Sequence, residues 1–107
     1  MPNTEAHIIY ELRMQRGIYI GVTRKVGTVL SSVRNRVSKH YYRAKNENLN
    51  WSLCVAMREL DHWDKVEILV HEVVYGKNNA HKREVEIRRQ IKPNLNTDIR
   101  GDQNETW

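Results

Sequence analysis

The sequence lacks most of the features that mark a secreted, membrane or disulfide-bonded chain. Its 107 residues contain a single cysteine, Cys54, so no internal disulfide can form. Cys54 lies among Leu53, Val55 and Met57 and is expected to pack as a small apolar residue. No apolar run is long enough to span a bilayer. The first ten residues show neither the basic start nor the apolar block of a signal peptide. A reducing, cytoplasmic setting is the expectation from these absences. Hydrophobic residues make up only 39% of the chain, which allows one modest core. No internal repeat or second domain is visible, so residues 1–96 read as one domain and 97–107 as a polar tail. His7, His62, His71 and His81 show no metal-ligand spacing with one another or with Cys54.

The most telling absence is of acid. From Leu12 to Asn46 there is no Asp or Glu, while nine basic residues occur: Arg13, Arg16, Arg24, Lys25, Arg34, Arg36, Lys39, Arg43 and Lys45. The rest of the chain carries nine basic and thirteen acidic residues and is net negative. Short charge runs are usually solvated faces, but thirty-five residues without an acid point to a polyanionic partner, above all nucleic acid.

Hydrophobic periodicity divides the chain into six elements. Residues 7–13 alternate as a strand with Ile8, Tyr10 and Leu12 on one face. Residues 18–23 form a second, with Ile18, Ile20 and Val22 on one face and Tyr19, Gly21 and Thr23 on the other. An antiparallel hairpin joins them and brings Tyr10 and Tyr19 onto neighbouring strands. A helix is expected from about Thr28 to Ala44, with Leu30, Val33, Val37, Tyr41 and Ala44 as its apolar stripe. Ser32, Arg36, His40 and Arg43 fall on a different face. Asn46–Asn50 reads as a loop, with Asn50 capping a second helix, Trp51–His62, whose buried side is Cys54, Met57 and Leu60. Trp51 and Trp63 bracket that helix as packing residues. Residues 65–75 read as a third strand with Val66, Ile68 and Val70 alternating. After a turn at Gly76–Asn79, a third helix runs to about Ile91 and is ended by Pro93. The fold class is therefore α+β: a small three-stranded antiparallel sheet flanked by three helices, in the order β-β-α-α-β-α.

Glu84 is the anomaly in this pattern. It shares helical spacing with Ala80, Ile87 and Ile91, and an acid on an apolar stripe costs free energy unless something pairs it. Arg83 and Arg88 are possible structural partners. With Tyr10, Tyr19, Arg36 and His40, it makes a set of two phenols, a guanidinium, an imidazole and a carboxylate that could together hold a metal and a phosphate.

These residues in this order resemble the GIY-YIG nuclease superfamily over about residues 7–96. Ile9-Tyr10 stands at the GIY tripeptide, with Ile8 in place of the glycine. Tyr19-Ile20-Gly21 is an intact YIG, followed by Thr23. Arg36 and His40 keep the Arg-x-x-x-His spacing on the first helix. Glu84 precedes Pro93 by nine residues and Asn96 by twelve, the spacing of the family's glutamate and C-terminal asparagine. The Gly21–Arg36 segment is several residues longer than usual, which makes Arg34 a competitor of Arg36.

The resemblance implies a metal-dependent endonuclease acting on DNA. Tyr10, Tyr19, Arg36, His40 and Glu84 would be catalytic, with Gly21 and Asn96 in support. Glu84 would hold Mg²⁺ or Mn²⁺, both hard ions suited to oxygen ligands. Tyr10 would activate water, although a free phenol has a pKa of about 10 and is a poor base at neutral pH. Tyr19 would position water or phosphate, and the sequence alone does not order the two tyrosines. Arg24, Lys25, Arg34, Lys39, Arg43 and Lys45 would bind the phosphate backbone without reading sequence. One site cuts one strand, so a homodimer is a possible assembly. A binding module on the same fold that does not cut, or a nuclease for RNA or structured nucleic acid, is the alternative.

Overall fold

The alternation in the two N-terminal segments produces the hairpin. In the computed structural model, which describes residues 5–47 and 51–96, β1 (Ala6–Met14) and β2 (Gly17–Arg24) pair antiparallel from His7 opposite Arg24 to Met14 opposite Gly17. A third strand, β3 (Glu67–Tyr75), lies antiparallel on the other side of β1, giving the order β2-β1-β3. Its register shifts between Ile9, opposite Glu72, and Tyr10, opposite Val70, which leaves His71 as the extra residue of a bulge. Helices α1 (Val29–Asn46) and α2 (Ser52–Arg58) connect β2 to β3, and α3 (Lys77–Ile91) follows β3. The chain is α+β in the expected order.

Period-two alternation gives the sheet two apolar faces, and each acquires its own cover. Ile8, Tyr10, Leu12 and Tyr19 pack with Val33, Val37, Tyr41 and Ala44 of α1 and with Leu53, Cys54, Ala56 and Met57 of α2. Ile9, Ile20 and Val22 pack with Ala80 and Ile87 of α3. Each large apolar side chain fully buried in such a layer contributes about 1.5–3 kcal/mol. Cys54 is a core residue, as expected. Among the described residues no helix is long and apolar enough to cross a membrane.

Three local expectations differ from the structure. Leu30 does not join the buried stripe of α1 and is exposed. Ser32 is buried in the same turn because its hydroxyl accepts from Val26 N–H and shares its single proton between the carbonyls of Thr28 and Val26. The second helix ends at Arg58, well short of His62. Side chains of α1 take the carbonyls that a longer helix would use: Lys45 Nζ binds Arg58 O at 2.9 Å and Tyr41 Oη binds Asp61 O at 3.0 Å. His62 instead caps a short 3₁₀ turn, Trp63–Lys65. Finally, Val70 is exposed, with Val73 and Tyr75, on the outer strand β3, although Ile68 of the same strand packs against the α1 and α2 layer. Asn50 and the 97–107 tail lie outside the described residues.

Candidate active site

Residues directly opposite on paired strands share a sheet face. Tyr10 lies opposite Gly21 and Tyr19 opposite Leu12, so both tyrosines face the α1 layer. Their ring centroids are 6.4 Å apart. The phenol of Tyr10 lies across Gly21: a Cβ at that position would fall 2.5 Å from the Tyr10 hydroxyl oxygen and 2.6 Å from Cζ. The glycine is required sterically, as the seat of the Tyr10 ring.

From α1, His40 meets both tyrosines. Its Nε2 is 3.4 Å from Tyr10 Oη, and its ring stands edge-on to Tyr19 at 5.7 Å between centroids. Burial, then the positive charges of Arg36 and Arg43, push the His40 pKa down to about 3. The imidazole is therefore neutral at pH 7. In its Nδ1–H tautomer it accepts the Tyr10 hydroxyl proton at Nε2.

Arg36 lies one helical turn before His40, on the same face of α1. The extra length between Gly21 and Arg36 has a simple structural basis. The strand β2 runs to Arg24, residues 25–28 form a loop, and two turns of α1 precede Arg36. Thr28 caps the helix by accepting from Ser31 N–H, and Ser32 ties the loop to α1. Between the end of β2 and α1 opens a cleft of about 380 Å³, lined by Thr23, Arg24, Val26, Ser32, Asn35, Arg36 and Lys39. Three of these are cations and none is an acid. The lining suits a phosphate group.

The other basic residues separate by location. Arg34 is turned away from this cleft, its guanidinium carbon 4.9 Å from the centroid of Trp63. Arg24 also reaches Glu5 at 3.3 Å, an exposed pair of little energetic consequence. Lys25 is exposed on the loop that borders the cleft. Arg43 stacks on Trp51 and pairs with Glu47 at 3.5 Å. Lys45 is engaged with Arg58 O and lies over the Tyr41 ring. The last two serve the α1–α2 junction.

Glu84 is buried on α3, between Ala80 and Ile87. Those neighbours pack on the sheet face that carries Ile9, Ile20 and Val22, the reverse of the face that carries the tyrosine rings. Arg88 Nε lies 2.8 Å from its Oε2 and His81 Nδ1 3.7 Å from Oε1. Among the described residues, no group of three or more His, Cys, Asp or Glu could hold a metal. A single carboxylate offers hard oxygen donors, so Glu84 could hold a hard divalent ion only as one anchor, and only in competition with Arg88 and His81.

Asn96 is placed by the turn after α3. Its side chain accepts from Ile20 N–H and donates to Ile20 O, each at 2.9 Å. It thereby satisfies the outer edge of β2 in the middle of the YIG segment. Asn94 does the same one step along, accepting from Ile18 N–H and donating to Arg16 O. A Cβ on Gly17 would overlap the Asn94 amide. Sequence reasoning passed over Asn94, although its two-residue spacing from Asn96 matches the repeat of a strand edge.

A second buried carboxylate, Glu11, was also missed. It contacts His71 Nε2 at 2.6 Å and Arg13 Nε at 2.7 Å. Burial raises its pKa, but hydrogen bonds from Arg13 and His71 outweigh that and hold it below the usual value. The available signal was the Glu11-x-Arg13 spacing, which places both on one strand face. Comparison of the chain with protein-family models, curated proteins and solved structures finds no match.

Proposed function

We propose that this protein is a metal-dependent endonuclease of the GIY-YIG type that hydrolyses DNA phosphodiester bonds. The observation that carries this reading is the convergence of Tyr10, Tyr19 and His40 beside an acid-free cleft containing Arg36. The fold order and the Glu84–Pro93–Asn96 spacing support it. The setting proposed is cytoplasmic, and cutting both DNA strands would take a homodimer or two binding events.

Arg36 presents a planar fork of donors to a phosphodiester in the cleft. Its charge contributes most as the transition state gains negative charge. Tyr10 Oη takes a proton from the attacking water while its own proton passes to His40 Nε2. Productive transfer requires the 3.4 Å separation to shorten in the substrate complex. At a pKa of about 3 the free imidazole is a weak base. A bound phosphate offsets the positive charge of Arg36, which is one of the causes of that depression, and so strengthens His40 as an acceptor. Tyr19, edge-on to His40, fixes the ring. Glu84 does not share the sheet face of the tyrosines; the family resemblance alone makes it the residue that would hold Mg²⁺ or Mn²⁺, an ion that would supply Lewis acidity toward a phosphate oxygen.

The test is cleavage of supercoiled plasmid with Mg²⁺ or Mn²⁺ against an EDTA control. The parent should cut. Arg36→Ala should lose on the order of a hundredfold in rate, the scale of removing one donor to developing charge, and Arg34→Ala far less. Glu84→Ala should be inactive yet folded, because Arg88 and His81, 27% and 47% exposed at their side chains, can turn to solvent once the carboxylate is gone. A parent that cuts neither DNA nor RNA with either ion transfers the reading to a non-catalytic nucleic-acid-binding module. An active Glu84→Ala variant removes the site assignment.

A further inference from the structure

On the other side of Asn35 from the cationic cleft lies a second cleft that the catalytic reading does not use. It measures about 360 Å³ and is lined by Thr28, Leu30, Ser31, Arg34, Asn35, Ser38 and Trp63. Ser31, Arg34, Asn35 and Ser38 follow i, i+3, i+4, i+7 spacing and form one strip of α1. Ser32, Arg36 and Lys39 form the next strip. Asn35 lines both clefts, so they share a wall.

The chemistry of this second cleft is specific. The guanidinium of Arg34 lies over the Trp63 indole. Among the described residues, Arg34 has no carboxylate partner, and no acid lines either cleft. Leu30 stands exposed at the rim, in a turn where the helix period called for burial. Ser31, Asn35 and Ser38 supply short hydrogen-bonding groups beside the ring. A planar cation laid flat on an indole, with an apolar rim and amide and hydroxyl groups at one side, matches an unpaired nucleobase, which can stack on the outer face of the guanidinium that the indole holds in place. Such a base stacks by its face and bonds by its edge. A base inside a regular duplex has no free face to offer.

We infer that the Trp63–Arg34 cleft binds an unstacked nucleobase next to the phosphate held by Arg36 and Lys39, so that the substrate class is DNA with an unpaired nucleotide beside the cut site. The assignment to a cut site rests on the nuclease reading; the binding of an unpaired base does not.

The experiment is fluorescence anisotropy in EDTA, which prevents cutting, with three labelled probes: single-stranded oligothymidylate, a paired duplex, and the same duplex with a one-base bulge. The parent should prefer the single strand and the bulge to the paired duplex. Trp63→Leu keeps an apolar side chain but removes the π face. It should lose affinity for the single strand and the bulge on the order of tenfold, the value of one base–aromatic stack, with little change on paired duplex. Trp63→Tyr should restore most of the loss, a rescue that a purely packing role would not give. Circular dichroism confirms that each variant is folded. If Trp63→Leu does not fold, Arg34→Gln carries the same comparison. Equal losses on all three probes, or none, overturn the inference. A parent that shows the preference but never cuts leaves this inference standing and removes the nuclease reading. A parent that cuts while Trp63→Leu binds all probes as the parent does removes only this inference.

Discussion

The hydroxyl of Tyr10 occupies the space in which a side chain on Gly21 would begin. A Cβ there lies 2.5 Å from the hydroxyl oxygen, closer than any ordinary contact, and the Tyr10 side chain is fully buried. Gly21→Ala is therefore expected to displace the phenol from His40. Overpacking of this kind costs about 1–3 kcal/mol. Thermal unfolding should show a lowered Tm, and cleavage should fall much further than the Tm change explains. An alanine variant with parental Tm and activity would mean that the ring is not seated on Gly21.

Asn96 serves the edge of the same strand. Asn96→Ala removes a donor and an acceptor from Ile20 at once and leaves both backbone groups to find water. The expected loss is about 1–3 kcal/mol, or several degrees in Tm. Asn96→Asp should not rescue it, because one carboxylate oxygen would then face the Ile20 carbonyl. Rescue by aspartate would show that only the Ile20 N–H bond matters. The exposed strand edge also becomes a pairing site, so the alanine variant should aggregate more readily on heating.

Acid should destabilise the fold through His40 before it does so through Glu11. Burial and the charges of Arg36 and Arg43 depress His40 to about 3, below the ordinary 6.5. The unfolded chain therefore binds a proton that the folded chain refuses. Stability is fully present above about pH 6.5 and is lost as pH falls below it, at up to about 1.4 kcal/mol per pH unit. Glu11 is depressed from 4.5 and adds its own loss only at lower pH. Urea unfolding at steps between pH 7 and 5 should show this slope in the parent and a flatter one in His40→Gln. Parallel slopes would show that His40 protonates freely in the folded state.

The fold was legible because its signals are local. Alternation around Tyr10 and Tyr19, one buried stripe at Val33, Val37 and Tyr41, and the stop at Pro93 each follow from the period of a single element. What escaped was set by tertiary contact. Nothing near Arg58 announces that Lys45 and Tyr41, on another helix, will take the carbonyls that follow it. The burial of Ser32 depends on a loop folding back to bring Val26 within reach of its hydroxyl. Glu11 is stable in the sheet because a bulge delivers His71 from a strand sixty residues away. The candidate site was legible as spacing. The second cleft was not, because Arg34 and Trp63 meet only through packing of the short turn after α2 against α1.

The same division by location sharpens the prediction for the basic stretch. Lys25 and Lys39 border or line the cationic cleft, whereas Lys45 is held by Arg58 O and the Tyr41 ring. Charges that contact phosphates release counterions on binding, and each lost contact flattens the log–log salt dependence by about 0.9 on duplex DNA. Replacing Lys25 and Lys39 with Gln should therefore lower the slope by roughly 1.8 and weaken binding about equally for different sequences, since phosphate contacts read no bases. Lys45→Gln should leave the slope unchanged and lower Tm instead, because it frees the carbonyl that closes α2. A filter-binding titration across salt concentrations separates the two. An unchanged slope in the Lys25, Lys39 double variant would make the acid-free stretch a solvated face, and a lowered slope in Lys45→Gln would extend the DNA path to the far end of α1.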